Sequence, residues 1–260
     1  MAVLISAPNF AIAAEGAPRW ERLLDQILTR AEAERADVPV RASSPQVASS
    51  LPSTPAPNAT AANPLVVGYV RYFSGAGARQ FQASRKRLEE YRAMIEEALD
   101  QEDLPRELMW IGLVESGYNT LARSPKNAVG IWQFIPETAQ TFGLRVVDGV
   151  DERSDPFKST RAAARYLKVL YAKFRDWPLV LAAYNTGERR VQKAMERSRT
   201  ADFWHLAESG LLPRETQAYV PAVLAAQFLG EGHLAKAAPK LDPVRSAPSR
   251  VVFATFDASR

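Results

Sequence analysis

The 260-residue chain has no cysteine, which removes disulfides, thiolate zinc sites, a cysteine nucleophile and a cysteine-borne lipid from consideration. Its two histidines, His205 and His233, leave no material for a multi-histidine metal site, and neither a metal nor an organic cofactor is expected. No stretch approaches the roughly 20 consecutive apolar residues of a spanning helix, so no membrane span is expected either. Excess charge is also scarce. Lys and Arg total 33 against 29 for Asp and Glu, a formal net charge of +4. That gives a mild attraction to acidic polymers and no nucleic-acid signature. What is present is a composition 47% hydrophobic and 24% charged, enough to bury a sizeable core.

Composition divides the chain. Residues 1–14 are small and apolar and end in a run, Ala11, Ile12 and Ala13, that suits a signal-peptidase site, but they lack a basic start. A signal-peptide remnant and an ordinary apolar tail both fit. Within residues 15–35, Trp20, Leu23, Leu24, Ile27 and Leu28 have the spacing of one short amphipathic helix. Residues 36–64 hold six prolines and two charges among Ala, Ser and Thr, and read as a Pro-rich linker.

Residues 65–230 carry apolar side chains at helical spacing. Leu88, Tyr91, Ile95 and Leu99 mark one helix; Ala163, Tyr166, Leu167, Leu170, Tyr171 and Phe174 mark another. Pro105, Pro136, Pro156 and Pro178 stand where a first helical turn accepts proline, and Gly117, Gly143 and Gly187 where helices stop. No segment alternates in the manner of a strand and no repeat recurs, so the fold class is all-α. Residues 231–260 form a tail.

One helix, expected over residues 107–116, is apolar around nearly its whole circumference and should be buried. Glu115 breaks it, at i+7 from Leu108 and i+4 from Ile111, so its carboxylate projects from the same face as those side chains. Apolar surroundings and the negative end of the helix dipole both disfavour the charged form, and the pKa should be raised. A carboxyl that keeps its proton near neutrality suits protonation of a glycosidic leaving oxygen. A buried pair with Arg or Lys is the competing reading.

Downstream stand Glu115-Ser116, then Gly130-Ile131-Trp132-Gln133, then Ala183-Tyr184-Asn185, and then Glu215-Thr216 with Tyr219-Val220. In this order and spacing the blocks resemble the lytic transglycosylases of the soluble, goose-lysozyme-like type, which cleave peptidoglycan. Trp132, with Tyr72-Phe73-Ser74 and Leu104 to Leu108, looks most like the branch called membrane-bound lytic murein transglycosylase D. Two departures stand out. Asn127 replaces a frequent glycine, and the residues after Gly230 are too few for the glycan-binding LysM repeats usual in that branch.

The resemblance implies a lysozyme-like helical domain with a glycan-binding groove. It implies that Glu115 alone acts first as acid and then as base, cleaving the bond between N-acetylmuramic acid and N-acetylglucosamine and leaving 1,6-anhydro ends. Ser124, Gln133, Tyr184 and Glu215 are the implied substrate-binding residues, with Tyr184 also near enough to orient Glu115. Ser116, Gly130, Asn185 and Tyr219 are supporting, Asn185 by tying down the turn at Thr186 and Gly187. Peptidoglycan strands are the implied partner, and the periplasm or cell envelope the implied location. Asp148, Asp151 and Asp155 are second acids only if their loop folds back. Trp132 either stacks on sugar or packs. Trp204 and His205 read as packing, and Arg85-Lys86-Arg87 and Arg189-Arg190 as solvated helix faces. A hydrolytic muramidase and a non-catalytic glycan-binding envelope module are the rivals.

Overall fold

The computed structural model describes residues 63–231. The leader, the short N-terminal helix, the linker up to residue 62 and the tail beyond residue 231 lie outside the described residues. The helical domain starts at the linker's last residue. Asn63 caps α1 (Pro64–Ser74), its side chain accepting from Leu65 N at 2.9 Å, with Pro64 at the first helical position.

Helix α2 (Ala78–Asp100) buries Phe81, Ser84, Leu88, Ile95 and Leu99, one face of a 23-residue helix, with Tyr91 half-buried beside them. The apolar helix expected from residue 107 is in fact two pieces. A 3₁₀ turn, Arg106–Met109, follows Pro105, and only then does α3 (Trp110–Ser116) begin. The extended Pro105 (ψ 132°) sets this tight entry. All seven residues of α3 are buried, as its composition requires, and Gly117 ends it in the left-handed region at φ 59°.

After α4 (Pro136–Thr141), the segment read as an acidic loop forms a small antiparallel hairpin, β1 (Val146–Val147) and β2 (Val150–Asp151), turned at Asp148-Gly149. A second 3₁₀ turn, Glu152–Ser154, leads to α5 (Pro156–Phe174), α6 (Trp177–Thr186), α7 (Glu188–Ser198), α8 (Phe203–Glu208) and α9 (Arg214–Gly230). Asp155, Asp176 and Asp202 each cap a helix by accepting a backbone N–H, from Lys158, Leu179 and Trp204 respectively, at 2.9 Å.

Packing has one axis. Helix α9, which carries Pro221 in its interior, lies against α1, α3 and α6; α5 packs on α6 and α2. Helices α3 and α6 are buried on every side, so a polar side chain on either meets only the neighbouring helices. Among the described residues, no helix is long and apolar enough to cross a membrane.

Candidate active site

Glu115 sits one residue before the end of α3 with no exposed surface. Burial raises its pKa from 4.5 to about 8, and the nearby charge of Glu215 adds to the rise. The Tyr219 hydroxyl, on α9, favours the charged form without reaching ordinary hydrogen-bond geometry. Its oxygen and both Glu115 oxygens are buried without a hydrogen-bond partner. Among the described residues no cation is paired with Glu115, which goes against the buried-ion-pair reading. The helix dipole is partly offset, because Arg87 on α2 donates through Nε to Gly117 O at 2.6 Å and so neutralises the end of α3. Arg87 therefore departs from the solvated run expected of residues 85–87. Desolvation is left as the dominant cause.

Helices α6 and α9 complete the surround. The Tyr184 hydroxyl, expected to orient Glu115, donates instead to Trp132 O at 2.8 Å. Its pKa is pushed far up by burial, with the charge of Glu115 contributing, so the ring stays in electrostatic reach of the carboxyl. Tyr219, read only as supporting, is the phenol that faces it. Asn185 differs from expectation as well. It accepts from Thr216 Oγ1 at 2.8 Å and thereby bridges α6 to α9, whereas Thr186 Oγ1 accepts from Arg190. Asn185 Nδ2 and Glu215 Oε1 are buried without a partner. Five unpartnered polar atoms thus converge on Glu115, Tyr219, Asn185 and Glu215, each costing about 1–3 kcal/mol if it stayed unsatisfied. A cluster of buried polar atoms without partners calls for an explanation, and a ligand that supplies the partners is one.

The loop after α3 is held by its own backbone and by one buried arginine. Ser124 Oγ accepts from Ala128 N at 3.0 Å and Lys126 N at 3.2 Å, which fixes the turn and leaves the serine proton free to be donated. Gln133, buried and at φ 49°, gives Nε2 to Gly130 O at 2.8 Å and Ala122 O at 3.3 Å, which leaves Oε1 as its acceptor. Ser116 is architectural, donating to Ile131 O at 2.9 Å. Trp132 is 1% exposed and donates to Thr160 Oγ1 at 2.8 Å, so it packs and does not present a face to sugar. Gly130, at φ 84°, lies so close to Arg153 O that a Cβ would come within 1.9 Å of it. Arg153 is 2% exposed. It pairs through Nε and Nη2 with Asp151 at 2.8 Å and donates Nη1 to Asn127 O at 2.6 Å and Phe134 O at 3.1 Å, pinning the loop to the hairpin.

Of the acidic loop, Asp151 is bound to Arg153, with its pKa lowered, Asp155 caps α5, and Asp148 is exposed in the hairpin turn. The second carboxyl near Glu115 is Glu215, a quarter-exposed side chain in the first turn of α9 that pairs with Lys126 Nζ at 3.4 Å. Burial raises the pKa of Glu215, and Lys126 opposes this. Sequence reading missed Lys126, Arg153 and Arg87. Only for Arg153 was there a local signal, an arginine flanked by Asp151, Glu152 and Asp155. Two cavities of about 510 and 480 Å³ lie elsewhere, one beside Tyr171 and Trp177 and one on α2, and no candidate residue lines either. Glu115 is closed over, so any ligand reaching it must displace the side chains that cover it.

Residues 92–207 match the family model "Transglycosylase SLT domain". The match contains Glu115, Ser116, Ser124, Gly130, Gln133, Tyr184 and Asn185, whereas Glu215 and Tyr219 lie beyond it. The chain is 41% identical over 144 residues to membrane-bound lytic murein transglycosylase D of Escherichia coli (strain K12), covering 54% of this chain and 31% of that protein. It is 38% identical over 110 residues to a putative tributyltin chloride resistance protein of Alteromonas sp. (strain M-1), covering 42% of this chain and 53% of that one. The chain thus spans about a third to a half of the length of these relatives. The fold is similar to the 70 kDa soluble lytic transglycosylase of Escherichia coli, with TM-score 0.50 and 19% identity over 82% of this chain and 42% of that one. In helical architecture, in the order of its sequence blocks and in the match over residues 92–207, the chain is similar to the transglycosylase SLT domain family.

Proposed function

We propose that the domain cleaves peptidoglycan strands between N-acetylmuramic acid and N-acetylglucosamine without water, leaving 1,6-anhydro-muramic ends. The observation that carries this is the protonated, unpaired carboxyl of Glu115 among converging unsatisfied polar atoms from α3, α6 and α9. Glu115 gives its proton to the bridging oxygen as the C1–O bond breaks. The carboxylate so formed takes the proton of the muramic 6-hydroxyl as that oxygen bonds to C1, closing the anhydro ring and restoring the acid. The sugar's acetamido group stabilises positive charge at C1, so one carboxyl suffices. The free proton of Ser124 and the acceptor Oε1 of Gln133 suit an acetamide. The Tyr219 hydroxyl stands ready to hold Glu115 once it is charged.

A peptidoglycan substrate implies the periplasm or cell envelope as the place of action. The test is to digest intact sacculi with the purified protein and identify the released ends by mass spectrometry. Ends lighter than reducing ends by one water are expected, and Glu115→Gln is expected to release none. Reducing ends would instead mark a hydrolytic muramidase, and turnover by the variant would remove Glu115 from the chemistry.

A further inference from the structure

The pair between Lys126 and Glu215 joins segments 89 residues apart, the loop after α3 and the first turn of α9. It is a loose pair. Its 3.4 Å separation exceeds the roughly 2.7–2.9 Å of a strong charge-assisted bond, and the Lys126 side chain is 42% exposed. An ammonium has three donors, and among the described residues the bond to Glu215 Oε2 is the one Lys126 Nζ makes. The loop beneath it is fixed, because Lys126 N is itself bound by Ser124 Oγ. Lys126 is thus a cation with spare donors, its backbone bound to Ser124 Oγ and its ammonium to the Glu215 carboxyl.

Charge explains why such a cation is needed. An ionised Glu215 disfavours a further negative charge beside Glu115, and Lys126 and Arg190 are the cations that oppose it. Muropeptides carry carboxylates, either along the peptide stem or, where the stem has been removed, on the lactyl group of the muramic acid. We propose that Lys126 is a specificity-determining residue that binds a carboxylate of the substrate, exchanging its loose contact with Glu215 for one with the strand. The inference rests on the function proposed above and names the feature of the strand that the site reads.

The experiment measures kcat/KM on three substrates: strands with intact stems, the same strands with their stem carboxylates amidated, and strands stripped of stems that keep the lactyl carboxylate. Wild-type protein should favour carboxylate-bearing over amidated strands by about five- to tenfold, the scale of one charge-assisted contact at a partly exposed site. The preference should shrink as salt is raised. In Lys126→Met the ratio should fall to about one, in Lys126→Arg it should persist, and in Lys126→Glu it should invert. Sensitivity confined to intact stems identifies the stem as the source, and sensitivity confined to stripped strands identifies the lactyl group. A ratio unchanged in Lys126→Met, with wild-type turnover intact, overturns the role of Lys126 alone. Absence of turnover by the wild type on all three strands overturns the proposed function and this inference with it.

Discussion

Replacing Glu115 by Gln keeps the shape of the side chain and removes its proton equilibrium, so it isolates what the buried acid costs the fold. In the unfolded chain the carboxyl loses its proton near pH 4.5; in the folded one it keeps it to about pH 8. Between those values the folded state binds the extra proton. Stability therefore falls as pH rises through this window, and the loss is complete above about pH 8. At about 1.4 kcal/mol per pH unit, the full loss amounts to roughly 4–5 kcal/mol. The Gln variant has no such loss. Relative to wild type, it should gain stability steadily from pH 4.5 to 8 and be flat on either side. Thermal unfolding of both proteins at matched pH reads this directly. At about 2–4 °C per kcal/mol for a domain of this size, the difference in Tm between variant and wild type should widen by about 10 °C or more across the window. A difference that stays constant from pH 4 to pH 9 would refute a protonated, desolvated Glu115, and with it the acid role.

Two further substitutions test the frame that holds the site. Gly130→Ala puts a Cβ within 1.9 Å of Arg153 O at a positive φ, and should cost about 3 kcal/mol or more, seen as a lowered denaturation midpoint. An unchanged midpoint would mean the loop is not pinned as described. Arg153→Met strands Asp151 and two loop carbonyls, and should destabilise by about 3–5 kcal/mol in urea unfolding. A loss below about 1 kcal/mol would show that the hairpin and loop hold together without it.

Features that depend on neighbours in sequence were legible. The buried faces of α2 and α5 follow from apolar spacing, and their limits from proline and glycine. Glu115 declared itself as one ionisable residue in an otherwise apolar helix. What escaped depends on partners far away in the chain. Arg87 meets Gly117 across 30 residues, Tyr184 meets Trp132 across 52, and Lys126 meets Glu215 across 89. No local spacing encodes such pairings, so sequence shows neither that the Tyr184 hydroxyl, though near Glu115, is bound to Trp132 O nor that Asn185 ties two helices. The 3₁₀ entry to α3 and the hairpin escaped for another reason. Each is two to four residues long, too short for a period to show.

The domain is closed by its own ends, since α9 packs against α1 and also supplies Tyr219, Glu215 and part of the cover over α3. A growing polypeptide therefore carries its acid long before it has the means to keep that acid protonated. On the ribosome, while the last helix is still unmade, the carboxyl at 115 is an ordinary wet glutamate that titrates like any other. Under the proposed function, the buried acid is made ready only by completion of the chain through residue 230.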